Sequence, residues 1–173
     1  NMLKGRGRRV TAELTIPRDV MIEHLRISPP QMHYGQGIST MSAFLSNSSN
    51  NAAHPANGLA ALYLATGQDI ANIGESNQCS TYNKVTREGD YYFSITFPAL
   101  ILATYGGGTA LPTQRECLEI MDCFGPGKAL KLAEIAAALT VAGELSLGAA
   151  SRIDQKTRKN EWVDAHEKLG RNR

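Results

Sequence analysis

Apolar and polar residues alternate in some parts of the chain and recur with helical spacing in others, which indicates both strands and helices. Residues 10–16 alternate as in a half-buried strand, and two β-prone runs, 90–97 and 99–105, predict further strands on either side of a proline. Residues 128–150 are apolar almost all round, a pattern typical of a long buried central helix. Because these elements do not follow a βαβ order, the pattern predicts an α+β fold with a small sheet.

Shorter helices are predicted between these elements. Residues 18–27 favour a short helix that two prolines stop, followed by a loop over residues 31–37. Residues 39–66 favour helix on both sides of the stretch 46–51, whose Ser and Asn side chains compete for backbone hydrogen bonds. That polar stretch is therefore either a loop or a ligand-facing surface.

The second half of the chain contains one more polar region, one more helix and a charged end. Residues 67–86 show little periodicity and are expected to be a polar loop. A helix is predicted over residues 113–123, with Thr113 as the N-cap of a capping box. From residue 151 onward the chain is strongly charged, which favours a surface helix anchored by Trp162.

The composition suits a globular domain and gives no sign of a nucleic-acid partner. The chain has 173 residues, 42% of them hydrophobic, which is enough for one domain with a sizeable core. Its net charge of +2 is too small to argue for nucleic acid. The one basic cluster, residues 4–9, is either the solvated entry to a strand or a loop that contacts an anion.

The cysteines and the longest apolar run bear on the compartment. Three cysteines fit neither a disulfide framework nor a zinc spacing, so they favour a reducing compartment and ordinary packing roles. The most apolar run, residues 130–147, is interrupted by Lys131, Glu134 and Glu144, so this segment is not expected to span a membrane. A lone carboxylate in an apolar helix is costly unless it is paired, so Glu144 is expected to be a structural hydrogen-bonding group.

A glycine triplet follows the last β-prone run. Gly106, Gly107 and Gly108 allow the backbone to approach a ligand and to adopt positive φ angles at little steric cost. Successive N–H groups in such a loop can form a nest for phosphate, and the hydroxyl of Thr109 can add a donor. By itself, however, a glycine triplet favours a plain turn.

Six short strings occur in an order that is specific in combination, although each string alone is weak. They are Gly-Arg-Gly-Arg at 5–8, Ala-His-Pro-Ala-Asn at 53–57, Ala-Thr-Gly-Gln-Asp at 65–69, Glu-Ser-Asn at 75–77, Tyr-Gly-Gly-Gly-Thr at 105–109 and Ala-Gly-Glu-Leu-Ser-Leu at 142–147. With this spacing the chain resembles, over essentially its whole length, the C-terminal part of the catalytic domain of class I HMG-CoA reductases. The resemblance implies that residues 1–173 belong to the large substrate-binding domain, and that the NADP-binding subdomain and any membrane anchor lie outside this chain.

The resemblance also implies a reaction, a cofactor and partners. Enzymes of this family reduce HMG-CoA to mevalonate and CoA with two hydrides from two NADPH molecules, a step in isoprenoid and sterol biosynthesis. The chemistry needs a cation or acid near the developing oxyanion, a carboxylate that tunes that group, and an acid that protonates the departing CoA thiolate. Further subunits are expected as partners, since the family builds its active site at the interface of a homodimer or homotetramer.

Five residues receive roles at the substrate from the resemblance. Asp69 falls on the catalytic aspartate that holds and tunes a lysine and a glutamate; from the residue alone it would be interpreted as an Asx turn. His166 falls on the histidine that protonates the thiolate, although its surroundings differ from the family pattern. His54 and Asn57 fall on substrate-contacting positions, with helix-start chemistry as the alternative. Arg26 falls on a lysine that contacts CoA phosphates, with an ordinary exposed arginine as the alternative.

The resemblance gives the glycine loop a cofactor role and bears on where the protein acts. Gly106, Gly107, Gly108 and Thr109 would contact NADPH at the edge of a cofactor site that is completed elsewhere. The catalytic portion is expected in the cytosol. The family contains both soluble members and members anchored in the endoplasmic reticulum membrane by an N-terminal region.

One departure from the family pattern bears on activity. Counting back from His54 places Gly37 where the family has a substrate-binding lysine, and no lysine occurs between Arg26 and Lys84. The HMG carboxylate would then lack its ion-pair partner, unless another residue or another chain supplies one. Two interpretations stay open: an NADPH-dependent reductase, and a catalytically inactive homologue that acts as a scaffold or regulatory partner.

Overall fold

The computed structural model describes residues 6–152, and an antiparallel sheet forms the framework of this part of the chain. The strands β1 (Arg8–Ile16), β2 (Ser80–Val85) and β3 (Tyr91–Leu100) lie in the order β1–β3–β2. β1 pairs with one edge of β3 and β2 with the other, so β3 is the central strand. The fold is therefore α+β with a small sheet, as the sequence predicts.

Alternation along the strands separates a buried face from a polar face. In β1, half-buried residues alternate with exposed ones. In β3, alternate aromatic and aliphatic side chains are almost fully buried; they are Tyr91, Phe93, Ile95 and Phe97. The outer face is polar, and there the hydroxyl oxygens of Thr11 and Thr96 lie 2.9 Å apart. Within residues 6–152, the helices therefore cover only the apolar face of the sheet.

Helical segments make up most of the remaining described chain. They are α1 (Arg18–Val20), α2 (Pro29–Leu45), α3 (Pro55–Thr66), α4 (Ile73–Ser76), α5 (Pro112–Ile120) and α6 (Ala129–Arg152). A π-helical turn, Met21–Leu25, extends α1, and 3₁₀ turns occur at Ile70–Asn72 and Gly107–Ala110. α6 packs against β1 and β3 and contacts α2 and α3, so it is the central helix of the fold.

The long helix predicted over residues 128–150 is confirmed as α6, but only one of its faces is buried. Its buried residues recur every three or four positions from Ala129 to Ala149. The opposite face carries Leu130 and Leu139, which are 66% and 41% exposed. By length and composition alone α6 is apolar enough to cross a membrane, yet 56% of its most apolar window is buried inside this fold.

Two segments predicted as loops are regular elements. α2 covers the predicted loop 31–37, because its two prolines occupy the first turn, where no backbone N–H is required. There Gln31 Oε1 also accepts hydrogen bonds from the Ser28 N–H, at 3.1 Å, and from the Ser28 hydroxyl, at 2.8 Å. β2 lies within the predicted polar loop 67–86 and buries only Thr81.

Three boundaries also differ from the prediction. Pro98 does not divide two strands; it lies inside β3, exposed, where the pairing with β1 shifts register, and the predicted strand 99–105 ends at Leu100. α5 begins at Pro112 without a side-chain cap, so Thr113 is not its N-cap. The stretch 46–51 is a loop, in agreement with one of its two interpretations, a loop or a ligand-facing surface. The description ends at residue 152, so the predicted C-terminal surface helix with Trp162 lies outside the described residues.

Candidate functional site

A cleft of about 620 Å³ lies beyond the Leu100 end of β3. It is lined by the turn after α3, by residues 101–103 and by the glycine loop, so Asp69 and the glycines Gly106, Gly107 and Gly108 share one cavity. The volume falls in the range of small-molecule sites. Four of the six motif strings converge around this cleft.

Residues 101–103 follow β3 but lie outside the sheet, and side chains supply their hydrogen bonds. The Ile101 N–H donates to the Ser76 hydroxyl oxygen at 3.0 Å, and the Tyr63 hydroxyl donates to the Ile101 carbonyl at 2.5 Å. Burial raises the pKa of Tyr63, so this hydroxyl remains a donor. The backbone of Ile101 is thus satisfied without a neighbouring strand.

Leu102 and Ala103 are held in the same way. Arg8 donates to the Leu102 carbonyl at 2.9 Å. The Gln68 amide accepts from the Ala103 N–H at 2.7 Å and donates to the Ala103 carbonyl at 2.8 Å, as a neighbouring strand would. Gln68 and Ser76 received no role from the sequence, although both lie in motif strings that could have drawn attention to them. They position the floor of the cleft.

Two of the motif glycines are required by a contact between loops. A Cβ atom added at Gly67 would lie 2.3 Å from the Gly108 carbonyl oxygen, and one added at Gly108 would lie 2.8 Å from the Gly67 carbonyl oxygen. The turn that carries Asp69 therefore abuts the glycine loop directly, backbone against backbone. Gly106 and Gly107 have φ angles of 82° and 56°, and a Cβ at either would meet open space.

Thr109 supports the glycine loop from behind. It is 1% exposed, and its hydroxyl donates to the Gly106 carbonyl at 2.7 Å. The hydroxyl is therefore committed to the loop itself, whereas Gly106 and Gly107 form the open surface. This geometry does not support the extra ligand donor expected of Thr109 from the sequence.

Asp69 is exposed at the cleft and is anchored by its own turn. Its Oδ1 accepts from the Ala71 N–H at 3.1 Å, which is the Asx-turn geometry that the residue alone suggested. Arg6 holds the following segment by donating to Asn72 at 2.9 Å and pairing with Glu75 at 3.3 Å. Between residues 6 and 152, no lysine or arginine forms a salt bridge with Asp69.

The other two motif strings meet each other on the α3–α6 contact. Glu144 is 7% exposed, and its Oε1 accepts from the backbone N–H of Ala53, at 2.6 Å, and of His54. The His54 ring lies over Gly143, where a Cβ would come within 2.1 Å of ring atoms. Its Nδ1 is buried and has no hydrogen-bond partner among the described residues. The structural role expected for Glu144 is thus confirmed.

The remaining candidate residues do not join the cleft. Asn57 is exposed in the first turn of α3, and the nine residues from there to Thr66 span roughly 14 Å of helix. Arg26 is exposed, has a φ angle of 58°, and follows the helical turns that begin at the other end of the sheet. His166 lies outside the described residues. The structure therefore brings together Asp69 and the glycine loop, and separates them from His54 and Asn57.

Comparison with known proteins identifies the family. The model of the hydroxymethylglutaryl-coenzyme A reductase family matches residues 1–171, and the chain belongs to this family. A relative from Pyrococcus abyssi is 41% identical over 99% of this chain and 42% of its own length, and one from Methanocaldococcus jannaschii is 38% identical over 99% and 41%. A relative from Drosophila melanogaster is 41% identical over 87% of this chain and 17% of its own length. All three are named 3-hydroxy-3-methylglutaryl-coenzyme A reductase, and the chain spans about two fifths of the archaeal relatives.

Proposed function

We propose that the complete protein reduces HMG-CoA to mevalonate and CoA in the mevalonate pathway, with NADPH as the hydride donor in two successive transfers. Membership of the family supports the reaction class. The observation that carries the proposal is the convergence of Asp69 and the glycine loop on a single cleft of ligand size. We propose that the catalytic portion of the protein acts in the cytosol.

The glycine loop fits a dinucleotide at the edge of the cleft. Substituting a Cβ at Gly106 or Gly107 would fill only open space, so the backbone there is accessible to a ligand. Within the described chain, the N–H groups of Gly107 and Gly108 have no acceptor, and two successive free donors suit a phosphate or amide oxygen of the cofactor. When bound, NADPH would supply the hydride; this loop would hold only part of it.

Asp69 is proposed to hold the cationic group that stabilises the developing oxyanion. With Oδ1 fixed by the Ala71 N–H, the carboxylate has a defined orientation at the cleft. A lysine supplied from outside the described residues would be kept charged by this neighbour, because an opposite charge favours the ionised form. His166 is proposed to protonate the CoA thiolate, since an imidazole titrates near neutral pH.

The separation of the candidate residues supports a site shared between subunits. Asn57 and His54 begin α3, whereas Asp69 follows its end, and α3 is about 18 Å long. A short acyl group cannot contact both ends of this helix in one chain. We therefore propose a homodimer or homotetramer in which the start of α3 faces the Asp69 cleft of another copy.

The test is the HMG-CoA-dependent oxidation of NADPH by the complete protein. Asp69→Asn is expected to reduce turnover by at least about 100-fold, within the range for loss of a group acting on the transition state, while the far-UV circular dichroism stays the same. Asp19→Asn is the matched control, since Asp19 is also exposed and also bonds a backbone N–H, that of Val20. Unchanged turnover in Asp69→Asn would refute the site assignment. An unaltered protein that binds HMG-CoA and NADPH without turnover would instead favour the inactive homologue.

A further inference from the structure

A second cavity, of about 290 Å³, lies between α2 and α6. Its lining includes a cation at one end and a carboxylate at the other, with neutral polar groups between them. These residues are Arg152, Glu144, Gln36, Ser39 and Asn51. The two charged residues are eight positions apart in α6, which is about 12 Å along the helix axis. The cavity is therefore polar and electrically asymmetric.

The guanidinium of Arg152 is built into this cavity rather than lying loosely on the surface. It donates to the Ser39 hydroxyl oxygen at 2.8 Å and to Gln36 Oε1 at 3.2 Å. A Cβ at Gly35 would lie 2.1 Å from the Arg152 Cδ, and one at Gly148 would lie 2.5 Å from its Nη1. Glycines on both helices thus make room for this side chain.

The charge of Arg152 has no carboxylate in direct contact among the described residues, although Glu144 attracts it from elsewhere in the cavity. Across residues 6–152, Arg152 forms no salt bridge, and its hydrogen-bond acceptors are neutral. Burial lowers the pKa of Arg152, which reflects the cost of keeping a cation partly away from water. Glu144 is already committed at the far end, where its Oε1 accepts two backbone N–H groups. A partly buried cation of this kind is stabilised when an anion joins it.

We propose that this cavity binds the free carboxylate of the acyl-thioester substrate, with Arg152 as its ion-pair partner. The inference rests on the proposed function. A single cation beside a neutral hydroxyl suits one negative charge, and a guanidinium can bind a carboxylate through two parallel hydrogen bonds. The carboxylate of Glu144 in the same cavity disfavours a doubly charged phosphate.

The position of the cavity determines which cleft the bound substrate would meet. Ala53, just before α3, lines the cavity, whereas Asp69 lies beyond the far end of the same helix. The length of α3, about 18 Å, exceeds the reach of a short acyl group. A substrate held by Arg152 would therefore react against the Asp69 cleft of a second copy of this chain.

The binding test uses the complete protein without NADPH and follows 3-hydroxy-3-methylglutarate by calorimetry. Arg152→Met is expected to weaken binding by about tenfold or more, the usual scale for losing a hydrogen bond to a charged group, and Arg152→Lys to recover most of it. The matched control is Arg87→Met, which removes the same charge from the exposed turn between β2 and β3. Equal affinity in Arg152→Met and the unaltered protein would overturn the proposal. So would competition by inorganic phosphate at the same concentration as the diacid.

Kinetics separate this proposal from the proposed function. If the complete protein turns over, Arg152→Met should raise the KM for HMG-CoA about tenfold, with the KM for NADPH unchanged. If the protein does not turn over, the calorimetric affinities for 3-hydroxy-3-methylglutarate alone test the role of Arg152. Because Arg152 also ties α6 to α2, the melting temperature of each variant is measured, and Arg152→Gln, which keeps hydrogen bonding without the charge, serves as a second variant. Unaltered affinity in a folded Arg152→Gln would contradict the ion pair.

Discussion

The contact between Gly67 and Gly108 predicts that two similar glycine substitutions will have different costs. Gly67 has a φ angle of 68° and Gly107 one of 56°, so an alanine at either position adopts the same disfavoured left-handed conformation. That conformation costs about 1–2 kcal/mol for a residue with a Cβ. The added Cβ at position 107 would meet open space, whereas at position 67 it would lie 2.3 Å from the Gly108 carbonyl oxygen. Gly107→Ala is therefore a control for backbone strain alone.

The extra cost of Gly67→Ala comes from two backbones that must move apart. No flexible side chain can yield at this contact, because the nearest atoms are the carbonyl oxygen and carbon of Gly108. Overpacking of this kind typically costs about 1–3 kcal/mol. We expect Gly67→Ala to lower the free energy of unfolding by about 2–5 kcal/mol, and Gly107→Ala by about 1–2 kcal/mol, from these two terms together.

Urea unfolding of both variants, followed by circular dichroism, measures this difference. Gly67→Ala should also lower turnover in the complete protein, since moving the Gly108 backbone displaces the loop that faces Asp69. If the two variants unfold at the same urea concentration, the abutment of the two loops is not a tight contact, and the explanation for glycine at position 67 is wrong.

Two further predictions concern buried polar groups. Glu144→Ala leaves the N–H groups of Ala53 and His54 without their acceptor and should lower the free energy of unfolding by about 2–4 kcal/mol. Glu144→Gln keeps an acceptor oxygen and should lower it by less than about 1 kcal/mol. Equal losses of the two variants in urea unfolding would argue against this capping role. Burial raises the pKa of Cys79 to about 12. A thiol reagent at neutral pH should therefore label the half-buried Cys117 and spare Cys79. Rapid labelling of Cys79 in the folded protein would contradict its burial. Because this folded-state pKa lies above the reference value of 9.0, its contribution to stability is complete below pH 9.0 and is lost as the pH rises toward 12.

The elements that the sequence predicts well are those whose burial follows a simple period. β1 alternates strictly, and α6 carries small and apolar residues at helical spacing, so both were found within two residues of their ends. The errors come from side chains that act at a distance or in one particular turn. The sequence does not predict the helix α2 over residues 31–37, because its prolines, Gly35 and Gly37 are poor helix formers. The strand β2 was hidden because it buries only one polar residue, Thr81.

The candidate site, too, can be predicted only in part from the sequence. Motif order pointed to Asp69 and to the glycine triplet, and the structure places them in one cleft. The sequence could not show that Gly108 packs on Gly67, that Gln68 takes the place of a strand beside Ala103, or that Arg152 lies in a cavity with Ser39. Each of these contacts joins residues at least 35 positions apart in the chain. No local period or spacing reports such pairs.

The bonding of residues 101–103 has a consequence for the order in which the protein folds. Their partners, Arg8, Tyr63, Gln68 and Ser76, are separated from them by between 25 and 94 residues. Contacts that close such long loops form late, because the entropy of each loop must be lost before the contact is gained. The cleft should therefore become ordered after the local elements, such as α6 and the β2–β3 hairpin. A chain in which only α6 and the β2–β3 hairpin have formed would still present no place for a ligand.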